Sequence, residues 1–207
     1  MTIRSLASML VVLGAVSAAA PASAQERDMG ALVGLNISNV DINVDDISVG
    51  LGNRGGLIVG GFYNQVVRPA FSVEIDALIS MKGSSLSSGG DKFDLNLTYL
   101  DVPALARYNI PVTREPMIHL FAGPSFNFKL RATTSASGST PFDVNENIGD
   151  DIKTFEAGLV LGGGVKIHER AHLDVRYACG LTNIAEGLDD GSAKNKVLSV
   201  MVGYRIR

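Results

Sequence analysis

Tyr99-Leu100-Asp101-Val102-Pro103-Ala104-Leu105-Ala106-Arg107-Tyr108-Asn109 is the stretch that decides the fold. From Leu100 onward its side chains alternate. Leu100, Val102, Ala104, Ala106, Tyr108 and Ile110 share one face, and Asp101, Pro103, Leu105, Arg107 and Asn109 share the other. Period-two alternation over this length specifies a long strand. A small soluble sandwich would have to bury the face carrying Asp101 and Arg107, and unpaired buried charge is costly. A membrane barrel inverts that assignment: the apolar face meets lipid and the polar face lines the interior.

Seven other segments carry the same period. The first, Gly30–Asn39, sets Ala31, Val33, Leu35 and Ile37 against Gly34, Asn36 and Ser38. In the second, Gly56–Val66, the pair Gly60-Gly61 blurs the phase. The third, Ala70–Met81, sets Phe71, Val73, Ile75, Ala77 and Ile79 against Ser72, Glu74, Asp76, Leu78 and Ser80. The fourth holds the opening stretch and begins near Phe93. Its two adjoining bulky residues, Tyr99 and Leu100, predict a phase slip, and Pro103 predicts a bulge or a missing ladder bond coupled to it. The fifth, Met117–Arg131, sets Ile118, Leu120, Ala122, Phe126, Phe128 and Leu130 against His119, Gly123, Ser125, Asn127 and Lys129. The sixth, Thr154–His168, sets Phe155, Ala157, Leu159, Leu161, Val165 and Ile167 against Glu156, Gly158, Gly162, Gly164 and Lys166. The seventh, Ala171–Asn183, sets Leu173, Val175, Tyr177, Cys179 and Leu181 against His172, Asp174, Arg176 and Gly180. The last, Lys196–Ile206, sets Leu198, Val200, Val202, Tyr204 and Ile206 against Ser199, Gly203 and Arg205.

The connections alternate in length. Asn39–Gly55, Lys82–Lys92, Ala132–Lys153 and Ile184–Asn195 are long and rich in Gly, Ser, Asn and Asp; Val67–Pro69, Pro111–Pro116 and Glu169–Arg170 are short. Even-stranded outer-membrane barrels have long extracellular loops and short periplasmic turns, with both termini in the periplasm. Aromatic residues add a second pattern. Tyr63, Phe71, Tyr108 and Tyr204 fall near one set of strand ends, and Phe93, Phe126, Phe128 and Phe155 near the other. Interfacial belts are expected there. The expected fold is therefore all-β: an eight-stranded antiparallel up-and-down transmembrane barrel.

At the N-terminus, basic Met1-Thr2-Ile3-Arg4 precedes an apolar run from Leu6 to Ala20 and the small-residue site Ala22-Ser23-Ala24. These are the three parts of a secretory signal peptide. The run falls short of the roughly 20 residues that a spanning helix needs, which disfavours an N-terminal anchor. Residues 1–24 are expected to be removed between Ala24 and Gln25, leaving 25–207 as one barrel domain. No lipobox Cys stands at that site. A net charge of −3 gives no electrostatic case for nucleic acid as a partner. Cys179 is the one cysteine in the chain, which rules out an internal disulfide, and no Cys/His cluster suggests a metal or another cofactor.

The chain resembles the PorT-like family of small outer-membrane β-barrel proteins. The resemblance rests on Gly34-Leu35-Asn36-Ile37-Ser38-Asn39, the Ser72–Gly83 strand, Tyr99-Leu100-Asp101-Val102-Pro103, Ala122-Gly123-Pro124, Arg176-Tyr177 with Gly180-Leu181-Thr182-Asn183, and Gly203-Tyr204-Arg205. It covers nearly the whole mature chain. It implies an eight-stranded outer-membrane barrel of the porin-like kind, without a defined substrate. The namesake is linked to protein secretion across the outer membrane, and that role is not carried over. One departure is the C-terminus: related barrels usually end in an aromatic residue, read by the insertion machinery, whereas this chain ends Tyr204-Arg205-Ile206-Arg207.

The inward face is predicted to hold Glu74, Asp76, Asp101, Glu156 and Asp174 against Arg107, Lys129, Lys166, Arg176 and Arg205. An eight-stranded barrel is only wide enough for side chains to fill. Balanced charges there favour a paired, plugged interior over an open pore. An enzyme would need His119, His168 or His172, as in lipid hydrolases of outer-membrane barrels, yet no Ser nucleophile accompanies them at an outer rim. Gly162-Gly163-Gly164 lies within a strand, so it does not read as a phosphate loop. Asp41-Ile42-Asn43-Val44-Asp45-Asp46 begins like a calcium loop but has Asp46 at the glycine position and Gly52 where the bidentate Glu belongs. The acids Asp143, Glu146, Asp150, Asp151, Glu186, Asp189 and Asp190 could share divalent ions with lipopolysaccharide.

The leading functional expectation is a non-enzymatic outer-membrane barrel with an envelope-structural or surface-interaction role. Its expected partners are outer-membrane lipids and lipopolysaccharide, the insertion machinery during biogenesis, and extracellular ligands through the four long loops. A narrow porin-like channel for small solutes is the alternative, and a lipid hydrolase or a soluble periplasmic barrel with a ligand-binding interior comes behind it. Surface proteolysis should cut within Asn39–Gly55 and Ala132–Lys153.

Overall fold

The computed structural model describes residues 27–44, 47–50, 52–88, 91–110, 117–137, 144–147, 153–183 and 191–207. They form β1 (Arg27–Val44), β2 (Ile47–Gly50), β3 (Gly52–Arg68), β4 (Phe71–Ser88), β5 (Asp91–Asn109), β6 (Ile118–Ser137), β7 (Val144–Asn147), β8 (Phe155–His168), β9 (Ala171–Gly180) and β10 (Gly191–Arg205). All pairings are antiparallel. β2 and β7 prolong β3 and β8 along β1 and β6. β1 closes the sheet on β10, from Gly30↔Arg205 to Val44↔Gly191. The product is a closed eight-stranded up-and-down barrel. Closure satisfies the backbone within the wall, which is what permits a sheet to stand in lipid.

Alternation sets the facing. Along β4, exposed Phe71, Val73, Ile75, Ala77 and Ile79 interleave with buried Ser72, Glu74, Asp76, Leu78 and Ser80. Across the wall, Val33, Leu35, Ile37, Leu57, Val59, Leu120, Leu130, Leu159, Leu161, Val175, Leu198, Val200 and Val202 are also exposed. An apolar surface of this extent needs a lipid solvent. β3, whose phase the sequence blurred, turns Ile58, Phe62 and Asn64 inward and Leu57 and Val59 outward.

The eight wall strands span 10 to 20 residues; all but β8 and β9 run further than the sequence suggested, and β9 stops at Gly180 rather than Asn183. Asn39–Gly55 is largely a β1–β2 hairpin extension, and β4 and β5 continue to Ser88 and from Asp91. β6 continues to Ser137 against β7, and β10 starts at Gly191. Among the described residues, parts of all four segments expected as long loops are thus paired strand extensions. Backbone hydrogen bonds drive pairing regardless of polarity, so Gly-, Ser- and Asn-rich segments can be strand where the ladder is already aligned. The apolar band stops at Ile37, Met81, Leu100 and Leu198. Past it the outward-phase positions are Asn39, Ser85, Asn96, Thr133 and Lys196.

In β5 the predicted slip at Tyr99-Leu100 does not occur. Leu97, Tyr99, Asp101, Pro103, Leu105 and Arg107 are all buried in one unbroken phase. The irregularity sits in the partner: Thr98 pairs with Arg131 and Tyr99 with Lys129, so Leu130 of β6 is the extra residue. Adjoining bulky residues misled because this interior accepts apolar side chains. At Pro103 the ladder does lapse. β4–β5 pairing skips from Leu78↔Asp101 to Ile75↔Ala104, and β5–β6 pairing skips from Pro103↔Ser125 to Ala106↔Ala122 beside Pro124. Register is kept across both gaps, so Pro103 makes no bulge and is independent of the β6 irregularity.

The interior is layered. Leu32, Ile58, Phe62, Leu78 and Met201 pack together, as do Leu105, Phe121 and Val160. Val40, Leu97, Tyr99, Ala132 and Ala193 form a third apolar group toward the end away from the termini.

Candidate functional site

The polar residues between these layers make two clusters. Nearer the termini, Arg107 of β5 and Arg176 of β9 reach across the lumen toward carboxylates on β4 and β9. Arg107 Nη2 donates to Glu74 Oε1 at 2.9 Å and to Asp174 Oδ2 at 3.4 Å. Arg176 Nη2 donates to Asp174 Oδ2 at 3.0 Å and to Glu74 Oε1 at 3.3 Å, while its Nη1 binds Asp76. His119 Nε2 lies 2.8 Å from Asp174 Oδ1, and His172 Nε2 lies 3.8 Å from Asp174 Oδ2. The Phe121 ring sits beside both guanidiniums, 5.6 Å from that of Arg107 and 5.1 Å from that of Arg176. Glu74, Asp76 and Asp174 are sealed from solvent. Such buried charge is sustainable only because each carboxylate has a cation or donor.

The Gly162-Gly163-Gly164 run makes room for this cluster. A Cβ at Gly164 would stand 2.2 Å from Asp174 Oδ1 and 2.4 Å from His119 Nε2, and one at Gly162 would stand 2.6 Å from the Phe121 ring. Likewise a Cβ at Gly203 would strike the His172 ring at 2.2 Å.

The second cluster is further from the termini. Lys82 Nζ donates to Asp101 Oδ1 at 2.9 Å and lies 4.8 Å from the centre of the Tyr99 ring. Asn195 Nδ2 donates to Glu156 Oε2 at 2.9 Å. Between the clusters, Asn36 of β1 links β4 to β10, donating to Ser80 Oγ at 2.8 Å and accepting from Ser199 Oγ at 2.7 Å. The void at this level measures about 30 Å³; Ile58, Leu78, Val160, Ala178 and Val197 line it together with Lys82 and Asp101 of one cluster and Arg176 of the other. That volume is the share of one water in the liquid.

Of the charges assigned inward from sequence, Glu74, Asp76, Asp101, Arg107, Glu156, Asp174 and Arg176 are buried in these clusters. Lys129 and Lys166 are half-buried outside them, and Arg205 instead pairs with Asp28 at 2.9 Å near the terminal rim. Sequence reasoning missed Lys82, which it placed in a loop, and missed Phe121 and Tyr99 as interior residues. The phase Ser80–Lys82–Ser84 was the available signal for the first. His119 and His172 were placed on the inward face but weighed only as enzyme groups; His168 is exposed and lines the terminal mouth with them. Among the aromatic residues, Phe71 and Tyr108 touch on the outer face at 4.8 Å, near Tyr63 and the exposed Tyr204 on the terminal side. Phe155 lies against Phe128 at 5.5 Å and Phe126 at 6.4 Å. Ala24, Gln25, Asp45, Asp46, Asp143, Asp150, Asp151, Glu186, Asp189 and Asp190 lie outside the described residues, as do the side chains of Asp41, Asn43, Phe93 and Glu146. Among the described residues, no group of three His, Cys, Asp or Glu side chains is arranged to hold a metal ion.

Residues 23–186 match the family model of the outer membrane protein beta-barrel domain. The chain belongs to that family. It is an integral barrel of the bacterial outer membrane, with lipid against its apolar face. Among solved structures, this outer membrane barrel is similar to Ail, the attachment invasion locus protein of Yersinia pestis, at 15% identity and TM-score 0.48, covering 87% of this chain and 99% of that one. Neisserial surface protein A is similar at 14% identity and TM-score 0.46, covering 85% and 97%. OprG of Pseudomonas aeruginosa is similar at 15% identity and TM-score 0.42, covering 88% and 97%. No curated protein sequence matches the chain.

Proposed function

We propose that this outer-membrane barrel is non-enzymatic and serves the envelope as a structural or surface-interacting element, as its PorT-like resemblance allows. The observation carrying this is the lumen itself: ion pairs cross it in one layer, and apolar side chains with the Asn36 bridge fill the next. A path for solutes would have to break buried charge pairs and pass a void of one water. In this reading, residues 1–24 are the signal peptide, cleaved between Ala24 and Gln25. Both termini face the periplasm and the extended hairpins face outward. There the polar strand extensions offer the surface for lipopolysaccharide and extracellular ligands. Tyr204, exposed on β10, supplies the aromatic residue that the insertion machinery meets, and the outer-face aromatics lie at the two interfaces.

Planar-bilayer recording of the refolded protein tests the closed lumen. The expected record has no unit conductance steps. Reproducible steps, abolished by Ser80→Phe at the partition, would instead favour the narrow porin-like channel. Orientation is tested separately on a Cys179→Ala background. Ser88→Cys should react with an impermeant maleimide on intact cells, and Glu169→Cys only after permeabilisation.

A further inference from the structure

The barrel mouth on the terminal side holds a cavity of about 320 Å³ that the charge clusters do not use. Its floor is Glu74, Arg107, His119 and His172, and its walls are asymmetric. Strands β8 to β10 and their turn contribute Lys166, His168, Arg170, His172 and Arg205, with Glu169 the one acid among them. β1 adds the acid Asp28, and the facing wall contributes neutral Asn64 and Asn109 beside Glu74 of the floor. Arg205 is committed to Asp28 and the Glu169 carbonyl. Lys166 and Arg170 form no ion pair among the described residues. Lys166 stands directly across the ladder from His172.

Polar atoms at this mouth are also left without partners. Asn64 Oδ1, Arg107 Nε and His172 Nε2 make no hydrogen bond and are sealed from solvent, each on a residue that lines the cavity, and His172 Nε2 has Asp174 Oδ2 at 3.8 Å. Buried polar groups are rarely left so, and where several converge on one cavity a ligand or ordered water is implied. Two cations without an ion-pair partner call for an acceptor carrying negative charge. The amide and imidazole edges call for an accompanying hydroxyl or amide.

We propose that this mouth binds a small anionic solute bearing a carboxylate or phosphate group. The anion sits between Lys166 and Arg170, with the Arg107, Asn64 and His172 side chains on its inner side. Charge-assisted hydrogen bonds of this kind fix orientation as well as affinity. The site is compatible with a closed lumen, since its floor is the charge cluster itself. It is equally indifferent to whether the opposite end contacts other cells, so it stands or falls independently of the proposed role.

The test uses the full mature chain refolded in detergent micelles. Histidine side-chain NMR signals are followed during titration with inorganic phosphate and, in a second arm, succinate, against sodium chloride of equal ionic strength. Saturable shifts of the His172 signal are expected with at least one probe, and the arm that saturates at lower concentration distinguishes phosphate from carboxylate. Lys166→Gln and Arg170→Gln, which lie outside the buried pairs, should each weaken binding about tenfold, the scale of one lost charged contact. Unboiled gel mobility confirms that each variant is folded. Absence of saturable shifts with both probes, or unchanged affinity in both folded variants, would overturn the proposal.

Discussion

Asp174 is the residue on which the terminal-side cluster turns, because two guanidiniums and one imidazole converge on its carboxylate. Arg176 is its counterpart, serving Asp174, Asp76 and Glu74 together. Replacing Arg176 by Met would leave Asp76 without its ion-pair partner in a sealed interior. The expected loss is about 3–5 kcal/mol, the scale for breaking a buried pair from one side, measured by urea titration of the vesicle-inserted protein. Gly164 contributes by having no side chain. Gly164→Ala would drive a methyl group into Asp174 and His119 and should destabilise by about 1–3 kcal/mol in the same titration, as overpacking does. Gly55, which has nothing within 4 Å of a built Cβ, is the control position. Sequence showed which face these residues occupy but not which partner each would meet. Asp76 and Arg176 are 100 residues apart, and only closure of the sheet sets them together.

Among the strands, β5 is the least tightly stitched at Val102–Leu105. Pro103 interrupts its pairing toward β4, and Pro124 stands opposite the interruption toward β6. Proline supplies no ladder donor. Pro124→Ala is expected to slow amide exchange at Ala104 and Leu105 relative to the rest of β5, as followed by hydrogen–deuterium exchange in micelles; equal rates in both proteins would count against this account of the gap. The period of each strand was legible from Leu100, Val102 and their kind, since the face of an alternating strand follows from residue polarity. Strand ends were not. Segments such as Gly83–Ser88 are polar enough to look like loop, yet they lie on a ladder started by their apolar neighbours, and pairing continues until the register is lost. The positive φ of 148° at Gly83, where Ser38 Oγ both donates to its carbonyl and accepts from its N–H, marks the close approach that lets β4 continue. Gly83→Ala should therefore unfasten the β4 extension, raising protease cleavage within Gly83–Ser88 without altering gel mobility of the membrane-embedded part.

For the whole molecule, closure and layering decide what the barrel can be. An exterior rich in Leu, Ile and Val and an interior of paired charge were both foreseeable once Asp101 and Arg107 were assigned inward. The interior apolar residues were not, because an interior Leu78 or Leu105 looks like an error of phase until neighbouring strands bring Ile58 and Val160 to meet it. Lys82 and Asp101 of one cluster and Arg176 of the other line the same small void, so a Lys82→Met, Asp101→Leu double change and Arg176→Met should combine non-additively, by about 0.5 kcal/mol or more in the same urea titration. The midsection thus works as a party wall, with Lys82 and Asp101 on one side and Arg176 on the other meeting at one small void. A change in either chamber is felt in the other. A chimera of two related barrels must therefore keep the lining of that void from a single parent.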